Sequence, residues 1–240
     1  MDTIHLLNKG KTLMVAHRGV SGLEKENTMP AFVAAGNRSY YGIETDVHKT
    51  ADGKYILFHD DTTARVAIDN MVVEETAYDT LRALPLTDRE GKRGRIDLRM
   101  PNLEEYINLC KAYGKDAVLE LKNAFEEEDI YEICEIIDGL GYLDHTVFIS
   151  FCLDNLIFLR KKYPTQAAQF LIKNFTDELL DILKTNHLDL DIYYKSLTEE
   201  NIALCHENGI VVNCWTVDKA EVAEQLIAWG VDMITSNILE

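Results

Sequence analysis

Seven residues with catalytic or ligating side chains occur within the first 122 positions: His17, Arg18, Glu44, Asp46, His59, Glu120 and Lys122. The three carboxylates offer hard oxygen ligands, which suit Mg²⁺ or Ca²⁺ better than zinc. The two imidazoles titrate near neutral pH, so one can accept a proton while the other donates one. Cleavage of a phosphodiester needs both transfers, and a divalent cation offsets the charge that develops on the phosphoryl oxygens. The set therefore predicts metal-assisted phosphodiester chemistry.

The two basic members of the set fit the same chemistry. Arg18 can hold a phosphate oxygen in bidentate fashion, and Lys122 adds a point charge. The structural alternatives are a salt bridge between Glu120 and Lys122, and histidines that only pack at strand ends. Burying so many charges without mutual pairing or a metal is costly, which favours the functional interpretation.

The elements that must position these side chains alternate between short apolar runs and longer segments of helical period, which is typical of βα units. Barrel strands are expected at Leu13–His17, Gly42–Val47, Ala117–Leu121, Thr146–Ser150, Ala167–Leu171, His187–Asp191, Ile210–Trp215 and Val231–Thr235. Eight parallel strands close into a barrel, so the pattern predicts an α/β fold, a (β/α)8 TIM barrel, as one catalytic domain over residues 1–240. Catalytic residues of such barrels gather at the carboxyl ends of the strands.

Seven helices are expected between these strands. They are predicted at Met29–Asn37, Leu103–Tyr113, Glu128–Leu140, Leu153–Tyr163, Asp177–Lys184, Glu199–Glu207 and Lys219–Trp229. The second has the strongest end signals, because Asn102 and Glu105 match a capping box and Gly114 follows as a stop.

A ninth strand-like run, Lys54–His59, interrupts the alternation. An Asp-Gly pair at 52–53 is a strong signal for a two-residue hairpin turn. Antiparallel pairing about that turn sets residue 46 opposite residue 59, which predicts that His59 lies beside Asp46. The following Asp60 is expected to orient His59 or to cap the next turn.

Residues 61–100 form an insertion after the second strand that is too long for a plain loop. Its basic cluster comprises Arg89, Lys92, Arg93 and Arg95. Two interpretations are open for this segment, a solvated loop or a mobile lid that draws in anions.

Composition excludes several classes of partner. The chain has 24 basic and 41 acidic residues, a net charge of −17, which repels nucleic acid and anionic membrane surfaces. No apolar run approaches the roughly 20 residues of a membrane span, and we expect no export signal because the only apolar run near the start, Leu13–Ala16, leads directly into a motif. The expected location is the cytoplasm and the expected partner a small phosphodiester; the oligomeric state stays open.

The cysteines form no CxxC pair, which suits reduced, buried thiols: Cys110, Cys134, Cys152, Cys205 and Cys214.

Seven short motifs stand in a particular order and spacing: HRG at 17–19, ENT at 26–28, ETD at 44–46, TADG at 50–53, FHD at 58–60, MPNLEE at 100–105 and ELK at 120–122. In this order they resemble the glycerophosphodiester phosphodiesterase family. The resemblance implies a (β/α)8 barrel with a small insertion after the second strand. It also implies hydrolysis of glycerophosphodiesters to glycerol 3-phosphate and an alcohol with Mg²⁺ or Ca²⁺.

The resemblance assigns a role to each matching residue. It implies that His17 and His59 are catalytic. It places the metal on Glu44, Asp46 and Glu120, and the phosphate on Arg18 and Lys122.

Two further residues have open roles. Asn27 can help to start a helix or reach the phosphate. Trp215, at the end of the seventh barrel strand, can belong to the core or form a wall for the glycerol or alcohol group.

The sequence also departs from the family pattern. Lys25 stands where the family usually has proline before Glu-Asn-Thr, and Thr235-Ser236 replaces a usual Thr-Asp pair. These departures leave the head group of the substrate open. The alternatives to a hydrolase are a relative that releases a cyclic phosphate, as in the venom-type sphingomyelinases D, a barrel that only binds phosphate metabolites, and an interaction scaffold.

Overall fold

The computed structural model describes residues 2–240 and confirms the (β/α)8 barrel. Nine strands are found in this range: β1 (Leu13–Ala16), β2 (Gly42–Lys49), β3 (Tyr55–Leu57), β4 (Asp116–Leu121), β5 (Thr146–Ser150), β6 (Ala168–Ile172), β7 (Asp189–Tyr193), β8 (Val212–Trp215) and β9 (Met233–Ser236). Their order is β1-β9-β8-β7-β6-β5-β4-β2-β3, and pairing of β1 with β2 closes the barrel. All these pairings are parallel except that of β2 with the outer strand β3.

Eight α-helices occur in the same range: α1 (Met29–Gly36), α2 (Tyr78–Ala83), α3 (Leu103–Tyr113), α4 (Glu127–Gly139), α5 (Leu153–Lys162), α6 (Leu179–Asn186), α7 (Glu199–Glu207) and α8 (Ala220–Ala228). Every predicted helix and strand is present, with ends within two residues of the prediction. Only α2, a six-residue helix inside the insertion, was not predicted. Within the described chain, no helix combines the length and the apolar character needed to cross a membrane.

The predicted capping box at the start of α3 is confirmed. Asn102 accepts from the backbone N–H of Glu105 at 2.8 Å, and Glu105 accepts from the N–H of Asn102 at 2.9 Å. Gly114 ends the helix in the left-handed conformation. From this fixed helix the Tyr106 hydroxyl donates to the carbonyl of Ile43 at 2.6 Å, which ties α3 to the strand that carries Glu44 and Asp46.

The predicted register of the hairpin is wrong by one residue. Val47 pairs with Leu57, and the N–H of Phe58 donates to the carbonyl of Asp46 at 3.0 Å. The loop therefore has three residues rather than two, and Gly53 takes the left-handed position that closes such a loop. Phe58 lies opposite Asp46, and His59 follows just past the end of β3.

The insertion has a small apolar core of its own. Its buried members are Ile56, Phe58, Val66, Val73, Leu81, Leu84, Leu86, Leu98 and Met100. Arg95 ties the far end of the insertion to the loop after β1, through a 2.6 Å ion pair with Glu24. The segment is thus anchored by this core and by the ion pair, although exposed residues occur along its whole length, with the longest exposed run at residues 89–94.

Gly19 has to be glycine for two reasons. Its φ is +74°, and an added Cβ would lie 2.6 Å from the backbone carbon of Ala31 in α1. We expect Gly19→Ala to destabilise the fold by about 2–4 kcal/mol, of which roughly 1–2 kcal/mol is the left-handed backbone and the rest overpacking. Gly10→Ala is the matched control, because Gly10 has φ +55° with open space around it. Urea denaturation of both variants tests this, and equal losses would contradict the close approach to α1.

Candidate active site

The carboxyl ends of three adjacent strands bring most of the predicted residues together. His17 and Arg18 follow β1, while Asp46 on β2 lies directly across from Glu120 on β4. One cavity at this end of the barrel is lined by five of the predicted residues and by Trp215: His17, Arg18, Glu44, His59, Glu120 and Trp215. Asp46 and Lys122 do not line this cavity. Lys122 contacts both Asp46 and Glu120 beside it.

The three carboxylates form one buried cluster. Glu44, Asp46 and Glu120 each offer an oxygen within 4.8 Å of the other two. Oδ1 of Asp46 is buried and has no hydrogen-bond partner among the described residues. Burial, reinforced by the charge of Asp46, raises the pKa of Glu44 well above its ordinary value and that of Glu120 to about 8. Three hard oxygen donors that repel one another, with one buried oxygen of Asp46 left without a hydrogen bond, fit a divalent cation.

Lys122 and Arg18 contact different oxygens of this cluster. Nζ of Lys122 lies 2.8 Å from Glu120 and 3.5 Å from Asp46. Nε of Arg18 lies 3.7 Å from Asp46, while the Arg18 backbone N–H donates to Glu44 at 2.8 Å. Both cations thus border the place where a phosphate would meet the carboxylates, and their positive charge holds the pKa of Asp46 below its usual range despite burial.

The hydrogen bonds of His17 define its protonation pattern. Nδ1 of His17 lies 2.7 Å from Oδ1 of Asn237, whose own amide donates to Asp218 at 2.6 Å. Oδ1 of Asn237 is therefore an acceptor, so Nδ1 of His17 carries the proton and Nε2 keeps its lone pair. Nε2 is 4.0 Å from Glu44. Burial, aided by the Arg18 charge, lowers the pKa of His17 to about 4, which keeps the ring neutral.

His59 has a charged partner instead. Nδ1 of His59 lies 2.6 Å from Oδ1 of Asp60, as expected for an orienting carboxylate. Asp60 also accepts from Nε of Arg65 at 2.6 Å. Although burial opposes it, hydrogen bonds from Arg65 and His59 lower the pKa of Asp60 to about 2. Asp60 thus stays ionised, holds the Nδ1 proton, and leaves Nε2 of His59 as the ring nitrogen available for proton transfer.

Asn27 is engaged with the protein at both ends of its amide. It donates to Asp46 at 2.7 Å and accepts from the Thr45 hydroxyl at 2.8 Å. The residue that precedes α1 is Thr28, whose side chain makes no cap hydrogen bond. Asn27 therefore holds the Asp46 carboxylate in place, and its predicted contact with phosphate stays a prediction.

Trp215 belongs to an aromatic wall of the cavity. It packs edge-on against Phe151, with ring centroids 5.6 Å apart, and at a tilt against Tyr193 at 5.5 Å. Trp215, Phe151, Ile149 and Leu171 thus give the cavity an apolar part, which also contains the buried carboxyl group of Asp191. That is compatible with the predicted wall for a glycerol or alcohol group.

Several site residues were missed by sequence reasoning. Asn237 and Asp218, which orient His17, come from the ends of β9 and β8. Glu26 binds Arg18 at 2.8 Å and Arg65 at 2.7 Å, so it joins the loop after β1 to the insertion. The available signal was position alone: Asp218 lies three residues after Trp215, and Asn237 directly follows the last strand.

Replacing Asn237 with alanine tests the orientation of His17. Loss of one hydrogen bond, about 1 kcal/mol, is expected to lower kcat roughly fivefold while KM changes little. Asn208→Ala removes an exposed amide that contacts only its own helix, at the end of α7, and should leave kcat unchanged. The two kcat values, measured with a common phosphodiester, check this; equal losses in both variants would contradict an orienting role.

Comparison with known proteins agrees with this geometry. The model of the glycerophosphoryl diester phosphodiesterase family matches residues 17–240. This chain belongs to that family. The resemblance drawn from the sequence motifs is thereby confirmed.

Two family relatives match nearly the whole chain. Glycerophosphodiester phosphodiesterases of Bacillus subtilis (strain 168) and Caldanaerobacter subterraneus subsp. tengcongensis are 25% and 28% identical to it. The matches cover 97% and 95% of this chain, and 86% and 94% of the relatives.

The fold also matches a solved structure. An Oleispira antarctica phosphodiesterase in complex with the product sn-glycerol-3-phosphate matches with a TM-score of 0.85 at 24% identity, over 94% of this chain and 92% of that one. At this identity the match speaks for the barrel alone.

Proposed function

We propose that this chain hydrolyses glycerophosphodiesters to glycerol 3-phosphate and an alcohol, with one Mg²⁺ or Ca²⁺ bound by Glu44, Asp46 and Glu120. The observation that carries the proposal is the shared cavity. In a member of this family, that cavity is lined by two histidines, each with its Nε2 left available, and by Glu44 and Glu120, which form a cluster within 4.8 Å with Asp46.

The two histidines divide the proton transfers. His17 is held by a neutral amide and keeps its Nε2 lone pair, so it accepts the proton of the attacking hydroxyl. His59 is held by the Asp60 carboxylate, which stabilises an imidazolium, so it donates to the departing alkoxide. Each assignment follows from the partner at Nδ1.

The remaining groups bind and orient the phosphate. Arg18 and Lys122 border the carboxylates and can each hold a phosphate oxygen. When bound, a divalent cation polarises the phosphoryl oxygen and offsets developing charge. Trp215 shields the glycerol or alcohol portion from water on the apolar side.

Hydrolysis of a panel of glycerophosphodiesters, with and without chelator, tests this function. We expect release of glycerol 3-phosphate that stops when the chelator is added. Phosphorus NMR of the products separates water attack from attack by a substrate hydroxyl. A lasting cyclic phosphate would replace the hydrolase with a cyclising enzyme, and binding without turnover would leave a phosphate-binding barrel.

A further inference from the structure

A second cavity lies next to the catalytic one, between the loop after β1 and the insertion. Its volume is about 470 Å³, and its charged lining comprises Lys25, Glu26, Arg65, Asp88, Arg89 and Glu90. Glu26 and Arg65 connect this cavity to the active site: Glu26 binds Arg18, and Arg65 binds the Asp60 that holds His59. These two side chains therefore link the lining of the second cavity to Arg18 and His59.

The acidic residues of this cavity already have partners. Glu26 accepts from two arginines, and Glu90 forms an ion pair with Lys92. Oδ1 of Asp88 accepts two backbone N–H groups of its own loop, at 2.8 and 2.9 Å. Their negative charge is thus largely engaged within the protein.

Two of the cations in the lining have no such partner. Lys25 is only 8% exposed, yet within residues 2–240 its ammonium forms neither a hydrogen bond nor an ion pair. Arg89, across the same cavity, is exposed and likewise has no carboxylate within ion-pair distance in this range. The ammonium keeps access to the cavity, and partial burial of the side chain lowers the pKa of Lys25. A cation that faces a cavity without a partner can pair with the anionic group of a ligand.

We propose that this cavity binds a second anionic group, a phosphate or a carboxylate, carried by the alcohol half of the diester, and that Lys25 determines this preference. The inference rests on the proposed function, because it describes the leaving group of that reaction. Arg89 supplies a second cation from the insertion.

The test compares kcat/KM for glycerophosphodiesters whose head group is glycerol phosphate, glycerol or choline, which are anionic, neutral and cationic. The wild-type enzyme is expected to favour the anionic substrate. Lys25→Met should lower the ratio of anionic to neutral substrate about tenfold, which corresponds to one charge-assisted contact, and Lys25→Arg should retain most of it. Lys11→Met removes the same charge from an exposed position ahead of β1 and should leave the ratio unchanged.

Two results would overturn the proposal: an unchanged ratio in Lys25→Met, or an equal loss for all three substrates. Urea denaturation separates a structural role: because the Lys25 ammonium pairs with no group of residues 2–240, its removal should not lower the unfolding midpoint. If the wild-type enzyme hydrolyses none of the diesters, the proposed function fails by itself. The cavity is then tested by calorimetry with pyrophosphate in chelator: tenfold weaker binding in Lys25→Met than in Lys11→Met supports it, and equal binding refutes it.

Discussion

Replacing His17 with alanine is expected to lower kcat at least ~100-fold, and replacing His59 to do the same, because each removes one of the two proton transfers. Among residues 2–240, these are the only histidines that line the catalytic cavity. No neighbouring imidazole can therefore substitute for either. Steady-state kinetics with a glycerophosphodiester measures the loss.

A matched control is available on the outer surface. His206 on α7 is exposed, and its Nε2 lies 2.8 Å from Asp232, so it resembles His59 in having a carboxylate partner. His206→Ala should keep full activity. Normal turnover in both His17→Ala and His59→Ala would refute the catalytic assignment.

The assignment of one histidine as general base and the other as general acid can be tested with a leaving group that needs little protonation. A diester with a nitrophenol leaving group needs little protonation when it departs. His59→Ala should therefore be nearly as active as the wild-type enzyme on that substrate, whereas His17→Ala should stay impaired. Rescue of His17→Ala instead would reverse the roles of acid and base.

The sequence predicted the fold and the cluster of three carboxylates because both depend on local signals. Alternation of apolar runs and helical segments marks each βα unit, and polar residues at the strand ends mark the mouth of the barrel. Glu44 and Asp46 are two residues apart on one strand, so their shared face follows from the period of a strand. Glu120 joined them because β4 is the neighbour of β2.

The partners of the histidines depend on contacts across the whole chain. Asn237 reaches His17 only because β9 pairs with β1 when the barrel closes, 220 positions apart. The hairpin register failed for a different reason. Asp-Gly is compatible with a two-residue turn or with a three-residue loop that ends in left-handed glycine, and pairing of β2 with β3 selects the second.

The internal structure of the insertion also depends on contacts that the sequence pattern does not show. Its extent was predictable from length, but its separate apolar core was not. The bridge of Glu26 between Arg18 and Arg65, and the burial of Lys25, arise where the insertion meets the loop after β1. No periodicity in either segment encodes that contact.

Replacing Glu120 with glutamine is expected to lower kcat/KM at least ~100-fold, because cation-assisted charge stabilisation contributes several kcal/mol to such a transition state. Glutamine keeps the size of the side chain and removes one anionic ligand. Chelation of the wild-type enzyme should produce a similar loss. Lys122 loses a partner in this variant but keeps Asp46 at 3.5 Å.

The stability of the same variant distinguishes a metal site from a structural salt bridge. The pKa of Glu120 in the fold is about 8, above the ordinary value of 4.5. Between these two values the unfolded chain has released the proton that the folded chain still holds, so the free energy of unfolding falls as pH rises through this window. In chelator at pH 7, Glu120→Gln should therefore be at least as stable as the wild-type protein.

Addition of Mg²⁺ or Ca²⁺ should reverse this order. A cation that binds only the folded state adds about 2.7 kcal/mol at a hundredfold excess over Kd, and the wild-type carboxylates bind it more tightly than the variant set. Melting temperatures of both proteins, with chelator and with each cation at pH 7, show whether the cation makes the wild-type protein the more stable of the two. If Glu120 only formed a salt bridge with Lys122, the variant would be less stable in every condition and no cation would change the order, which would rule out a shared metal site.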